Sequence, residues 1–322
     1  MKNIAILTGG DSAEYDISIL SASTVLQHLN PELFKGYIIH LKNDKFTVII
    51  NEIKIDIDKS NFTFQVENKR ISFDAVFMAL HGSPAENGLI QPYFDNLNIP
   101  YTSSNAKVSA LTFNKYECNK KLKELGFSCA ASFLYEKGND IVEQEIIDRV
   151  KLPCFVKPNG AGSSFGISKV KKKEDLVKAI NSALQHDNKV LIEQFIDGIE
   201  ISCGVYYSEN NIQALPITEI VTENEFFDYQ AKYEGKSQEI TPAKISEKLT
   251  IEVQKLTTDI YKAMELSGIC RTDYIIMNEK PYIIEINTIP GFTEESLIPK
   301  QIKSANLKLS VIFESCLVDS KE

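Results

Sequence analysis

The sequence predicts a mixed α/β chain of two or three domains: an open α/β sheet to about residue 103, then α+β segments rich in hairpins. Three observations predict it. A strand, a glycine turn and a helix open the chain; short strands punctuated by Gly and Pro fill its middle; and an acid-bearing hairpin lies near its end. At 322 residues the chain exceeds one ordinary core.

Residues 3–8 read as a strand, Gly9, Gly10, Asp11 and Ser12 as a tight loop, and 16–29 as a helix with apolar residues at Ile17, Leu20, Val25 and Leu29. A second strand, 75–80, ends at His81, Gly82, Ser83 and Pro84, and a helix and the segment 98–101 complete the first sheet domain. Ligands of such sheets gather at the carboxyl ends of strands, where Glu14 and His81 both fall. They are candidates for one site, although His81 reads equally as a loop histidine capping a backbone group. The pattern from 109 to 125 is helical and carries Asn114 and Lys115. Residues 154–157 form a short strand running into the loop 158–166, the next strand is 167–170, and 190–196 is another, which Asp197 and Gly198 turn into 200–207 as in a hairpin. Lys169, Lys171, Lys172 and Lys173 read as a solvated strand end. A polar stretch, 222–238, and a long amphipathic helix from about 247 to 266 follow.

The hairpin is the most informative segment. Arg271 and Asp273 stand on its first arm, Glu285 and Asn287 on its second, and Asn278, Glu279 and Lys280 read as the turn. Strand side chains alternate, so Glu285 and Asn287 share a face, and a three- or five-residue loop would set Asp273 opposite Glu285 and Arg271 opposite Asn287. A carboxylate on a largely buried strand requires a compensating cation or a solvated cleft. Three oxygen ligands suit Mg²⁺, which keeps waters and completes its shell with substrate phosphates. The same side chains also make an ion-paired hairpin around Arg271.

Phosphate chemistry has a second marker. The loop 158–166 holds three glycines and two serines between strands, so successive backbone N–H groups can converge on an anion. It is not a Walker A loop, because Lys157 precedes it and a strand follows. Lys157 ends an apolar run, where an anionic partner offsets its burial. Glu193 and Glu200 flank the turn after a buried strand, from which one carboxylate can take ribose hydroxyls; by themselves they would pass for surface acids. The net charge of -9 argues against a nucleic-acid surface or a basic membrane helix, and no apolar run approaches a spanning helix. Six scattered cysteines without a close pair read as reduced thiols in a reducing compartment, so the chain is expected to be cytoplasmic.

In order, these pieces resemble the ATP-grasp enzymes, and among them the D-alanine:D-alanine ligase family, over essentially the whole chain. The carriers are Gly9, Gly10, Ser12 and Glu14 with Ile17 and Ser18; His81 and Gly82; Asn114 and Lys115; Lys157, Pro158, Gly162, Ser163 and Ser164; the segment 226–233; Arg271 and Asp273; and Glu285, Asn287, Pro290, Gly291, Thr293, Ser296 and Leu297. The resemblance implies a three-domain ATP-grasp fold, divided at 1–103, 104–196 and 197–322, with ATP between the second and third. It implies that Lys115, Lys157, Ser163, Ser164, Phe226 and Lys232 serve the ATP phosphates and their cover, that Glu193 and Glu200 hold the adenosine, and that Phe195 and Ile196 form the base pocket. Asp273, Glu285 and Asn287 would hold two Mg²⁺, with Mn²⁺ able to substitute.

Glu14, in a network with Ser163 and Tyr233, would take the ammonium of a first D-alanine near Ile17 and His81. Arg271 and the Gly291 N–H would face an oxyanion, and Ser296 and Leu297 a second D-alanine. A homodimer is implied too. The chain departs from the family pattern at Asn87, Ala161 and Phe227, and its spacing from Asp273 to Glu285 is one residue short.

Overall fold

The computed structural model describes residues 1–160, 166–208, 210–222 and 237–319. Strand β1 (Lys2–Gly9) has parallel partners on both sides, β2 (Phe34–Lys42) and β7 (Ala75–Met78). Such a strand is covered on both faces, which is why Ile4, Ala5, Ile6 and Leu7 are all apolar and buried instead of alternating. Antiparallel β3 (Lys45–Ile50) and β4 (Ile53–Asp56) widen the sheet to the order β4-β3-β2-β1-β7, with a small ribbon of β5 (Phe64–Val66) and β6 (Lys69–Ile71) beside it. This wing was not expected from the sequence. Its turns carry positive φ on Asn43 and Asp44, Asn51 and Glu52, and Glu67 and Asn68, so no glycine announces them.

Helix α1 (Tyr15–His28) lies where it is predicted, but its buried face is Ser18, Ser21, Ala22, Thr24 and Val25, while Leu20 is 56% exposed. Small residues let α1 approach β1 closely, and that approach, not the leucine periodicity, decides which side turns inward. The helix expected over 109–125 is two helices, after α2 (Gln91–Asn96): α3 (Ala106–Phe113) and α4 (Lys115–Glu124). Asn114 separates them with extended ψ, closing one helix and capping the next by accepting the Glu117 N–H at 3.2 Å.

The middle of the chain builds a separate antiparallel sheet in the order β10-β9-β11-β8. It comprises β8 (Ser132–Glu136), β9 (Cys154–Pro158), β10 (Ser168–Val170) and β11 (Lys189–Gln194), backed by α5 (Glu143–Val150) and α6 (Leu176–Ala183) around Val156, Ile180, Val190 and Ile192. The next strand, β12 (Ile199–Ser208), leaves that sheet altogether. Residues 197 and 198 therefore carry the chain from one sheet to another and are not a hairpin turn, because β11 spends both edges on β8 and β9.

The last sheet runs β15-β14-β12-β16-β17, with β13 (Asn211–Ala214) on β12. Its other strands are β14 (Thr218–Thr222), β15 (Ser237–Ile240), β16 (Cys270–Met277) and β17 (Lys280–Asn287). Helix α7 (Glu247–Ala263) covers it with Leu249, Val253, Thr257 and Ile260, one face at helical spacing. Val108, Cys118 and Leu122 of α3 and α4 join this core rather than that of the middle sheet. Helices α8 (Leu297–Ser304) and α9 (Leu309–Asp319) return to the first sheet, where Phe77 meets Phe292 at 5.7 Å and Phe313 at 5.0 Å between ring centres. The two ends of the chain thus share one core. None of the six cysteines is in a disulfide.

Candidate active site

The first corner forms where β1 and β7 end. Ser12 donates its hydroxyl to the His81 carbonyl at 3.2 Å and accepts the Glu14 N–H at 3.2 Å. Glu14 precedes α1 without capping it, and its carboxylate lies against Gly82. A Cβ at Gly82 would stand 2.7 Å from Ser12 Oγ and 3.1 Å from Glu14 Oε2, and φ there is +75°, so glycine is required on both counts. Ile17 is partly buried in the first turn of the same helix.

His81 is 3% exposed and both ring nitrogens are engaged. Nδ1 faces the Ile289 carbonyl at 2.9 Å, which can only accept, so Nδ1 carries the proton and Nε2 accepts from Ser21 Oγ at 2.8 Å. Ser21 Oγ in turn accepts the Phe292 N–H at 3.1 Å. Burial keeps this imidazole below the usual histidine range and hence neutral, despite the nearby Glu14 carboxylate. The residue caps a backbone group, as one of its two readings held. The group it caps lies over two hundred positions away and brackets Gly291, so the cap docks one site loop onto another.

The second corner is built by α4 and the middle sheet. Lys157 on β9 and Glu193 on β11 form an ion pair, each 6% exposed. Glu193 is therefore not a surface acid. Asn119 donates to the other carboxylate oxygen of Glu193 at 2.5 Å. Asn159 anchors α4 to the end of β9: its carbonyl accepts the Lys115 N–H at 3.2 Å, its Oδ1 the Tyr116 N–H at 2.9 Å, and its amide donates to Asn114 Oδ1 at 2.8 Å. Desolvation draws the Lys115 ammonium below the usual lysine range; Glu285 opposes this, Lys157 reinforces it, and Glu193 and Glu86 oppose it more weakly.

Phe195 stacks edge-on with Phe155 at 5.7 Å, and Lys169 Nζ lies 3.7 Å from the Phe195 ring centre. Lys169 thus leaves the solvated lysine run for an aromatic face, which attracts a cation. Ile196 is buried, and Glu200 stands on β12 opposite Ile275.

On the hairpin, Arg271 pairs with Asn287 and Asp273 with Glu285, as expected. The device differs from the expected loop. The turn has two residues, Asn278 and Glu279, both at positive φ, and the register shifts beyond the Tyr274–Ile283 pair, leaving Ile284 as the extra residue. That bulge moves Glu285 and Asn287 onto the Asp273 face while Ile283 and Ile286 stay buried.

Arg271 grips Asp273 with two bonds, Nε to Oδ1 at 2.8 Å and Nη2 to Oδ2 at 2.7 Å. Ser202 adds its hydroxyl to Oδ1 at 2.5 Å and Asn287 its amide to Oδ2 at 3.1 Å. Among the described residues no three His, Cys, Asp or Glu side chains converge as metal ligands. Asp273, Glu285 and Asn287 are two carboxylates and one amide, oxygen donors suited to a hard divalent cation. Arg271 is the present counter-charge of Asp273. A Cβ at Gly291 would stand 2.6 Å from Ser296 Oγ. That hydroxyl bonds Thr293 at 2.7 Å instead of capping α8, whose first residue is the buried Leu297.

Glu86 links the corners. Burial first, then the Glu14 and Glu285 carboxylates, push it up to about 8 against the pull of the Gly82 N–H and Arg271. The structure thus brings together Glu14, His81, Lys115, Lys157, Glu193, Arg271, Asp273, Glu285, Asn287 and Gly291. Ser163, Ser164, Phe226, Lys232 and Tyr233 lie outside the described residues, as do Ala161 and Phe227. Sequence reasoning missed Ser21, Glu86, Asn119, Asn159 and Ser202. Two of these had a signal: Asn119 is one helical turn beyond Lys115, and Ser202 shares a strand face with Glu200.

Residues 3–104 match the family model described as D-ala D-ala ligase N-terminus, and residues 122–318 match D-ala D-ala ligase C-terminus. The chain is 47% identical over 318 residues to the D-alanine–D-alanine ligase of Flavobacterium johnsoniae, covering 98% of each. It is 44% identical over 314 residues to that of Phocaeicola vulgatus, covering 97% of each. Among solved structures it resembles a D-Ala:D-Ser ligase from Enterococcus faecalis, with a TM-score of 0.88 and 30% identity over 100% of this chain and 99% of that one. It also resembles the D-alanine–D-alanine ligase from Bacillus anthracis complexed with ATP, with a TM-score of 0.81 and 27% identity over 100% and 99%.

Proposed function

The chain belongs to the D-alanine–D-alanine ligase family of ATP-dependent ligases, and from that premise we propose that it joins two D-alanine molecules into D-alanyl-D-alanine for peptidoglycan precursors. One D-alanine carboxylate attacks the γ-phosphorus of ATP, releasing ADP and giving an acyl phosphate. The amine of the second D-alanine then attacks the acyl carbon, loses a proton, and expels phosphate.

Each corner supports one part of this chemistry. Glu14, beside Gly82, is placed to take the ammonium of the first D-alanine, with Ile17 next to it. Lys115 and Lys157 supply positive charge for the phosphates, and phosphoryl transfer needs such positioning and neutralisation more than covalent help. Glu193 and Glu200, with Phe195 and Ile196, would receive the adenosine. Asp273, Glu285 and Asn287 would hold magnesium, which when bound neutralises phosphate charge. Arg271 and the Gly291 N–H would face the oxyanion, where one donor is typically worth about 100- to 1,000-fold in rate. Ser296 and Leu297, at the start of α8, would receive the second D-alanine, Ser163 and Ser164 would meet ATP, and the segment 226–233, with Phe226, Lys232 and Tyr233, would keep water from the acyl phosphate.

The observation that carries the reading is electrostatic convergence. Glu86 feels Glu14, Glu285 and Arg271, while Lys115 feels Glu285, Lys157, Glu193 and Glu86, so the amino-acid and nucleotide corners form one field. ADP formation over D-alanine, D-serine, D-lactate and L-alanine, with mass detection of the product, tests it. Turnover with D-alanine alone is expected; no amino-acid-dependent turnover would overturn it. A second reading, D-serine as acceptor, is favoured by the likeness to the Enterococcus faecalis D-Ala:D-Ser ligase and would appear as a mixed product. We further propose a cytoplasmic homodimer and the division 1–103, 104–196 and 197–322, with α3 and α4 bridging the last two units. Among the described residues no helix is long and apolar enough to cross a membrane.

A further inference from the structure

Lys157 and Glu193 sit diagonally on neighbouring antiparallel strands, on one face of the middle sheet, and both are nearly sealed from water. A buried ion pair offsets its desolvation only if the remaining lone pairs are also met. Lys157 holds one Glu193 oxygen; the other receives the Asn119 amide, itself 2% exposed, at 2.5 Å. Asn119 stands four residues beyond Lys115, so one face of α4 presents both a lysine and this donor to the same place. Asn119 is neutral, so it satisfies the carboxylate without competing with Lys157 for its charge.

We propose that Asn119 is a positioning residue for the nucleotide: it fixes the Glu193 carboxylate, which holds Lys157 where the phosphates bind. This rests on the nucleotide role given to Lys157 above. Asn119→Leu keeps the branched outline of the side chain, with somewhat more bulk, and removes the donor. Binding of magnesium AMP-PNP, followed calorimetrically, should weaken on the order of tenfold, with KM for ATP rising in step. The kcat at saturating ATP and the KM for D-alanine should change less than about twofold.

In a Glu193→Gln background the same substitution should add less than about twofold, because the group through which it acts is gone. Equal losses in both backgrounds would mean that Asn119 only packs α4, which overturns the proposal. Asn119→Asp, of the same shape, sets an acceptor where the donor stood and should weaken AMP-PNP at least as far; unchanged binding overturns the proposal. The two readings fail separately. Dipeptide formation with Asn119→Leu binding AMP-PNP normally defeats only this inference. Asn119-dependent AMP-PNP binding without amino-acid turnover defeats only the ligase reading.

Discussion

Two side chains show what burial does to chemistry at the scale of single residues. Glu86 is held protonated by burial and by neighbouring carboxylates, at about 8. The unfolded chain releases that proton near its ordinary value of 4.5, so stability falls as pH climbs from there to about 8 and carries no such penalty below. Glu86→Gln should therefore melt progressively higher than the unaltered protein as pH rises from about 5 to about 8; parallel melting curves would show the carboxyl to be ionised when folded. Ser21 serves two partners at once, Phe292 N–H and His81 Nε2. Ser21→Ala leaves both unmet at a cost of about 1–3 kcal/mol, read by denaturant unfolding. Since Phe292 and the Ile289 carbonyl that His81 holds bracket Gly291, kcat should fall more than either KM rises. Neither role was legible in the sequence, because a buried serine and a buried glutamate differ from exposed ones only in what surrounds them.

At the scale of elements, local chemistry was readable where it repeats and silent where one residue breaks the repeat. The apolar run of β1 and the heptad-like face of α7 announced themselves. Asn114, which splits the expected helix in two, did not, since asparagine within a helical pattern is ordinary. Asn114→Ala removes the α4 cap and the Asn159 contact. It should cost about 1 kcal/mol of stability and raise KM for ATP by loosening Lys115, whereas an unchanged KM would detach the cap from nucleotide binding. The hairpin teaches the same lesson. The facing of Asp273 and Glu285 was foreseen from side-chain alternation, but the extra residue lies in a bulge at Ile284 rather than in the loop. Turns built on Asn with Asp or Glu at positive φ pinch the hairpins without glycine, which hid the antiparallel wing of the first sheet.

Across the whole molecule, the first and last parts of the chain are bound by the aromatic cluster of Phe77, Phe292 and Phe313. Phe313→Ala should cost about 3–5 kcal/mol in denaturant unfolding. Because Phe292 follows Gly291, ligase activity should drop in proportion beyond that loss; full activity in the folded fraction would show the cluster to be a staple remote from the site. The sequence by itself determined which residues carry charge, which are candidates for phosphate chemistry, their order, and the strand faces they share, because alternation and helical period are local. Only the tertiary structure decided that Asp273 spends its lone pairs on Arg271, Ser202 and Asn287, that Glu193 is buried against Lys157 and Asn119, and that His81 clamps the Gly291 loop. Those pairings join residues far apart in the chain, and desolvation, which sets their partners, exists only once the surfaces around them have closed.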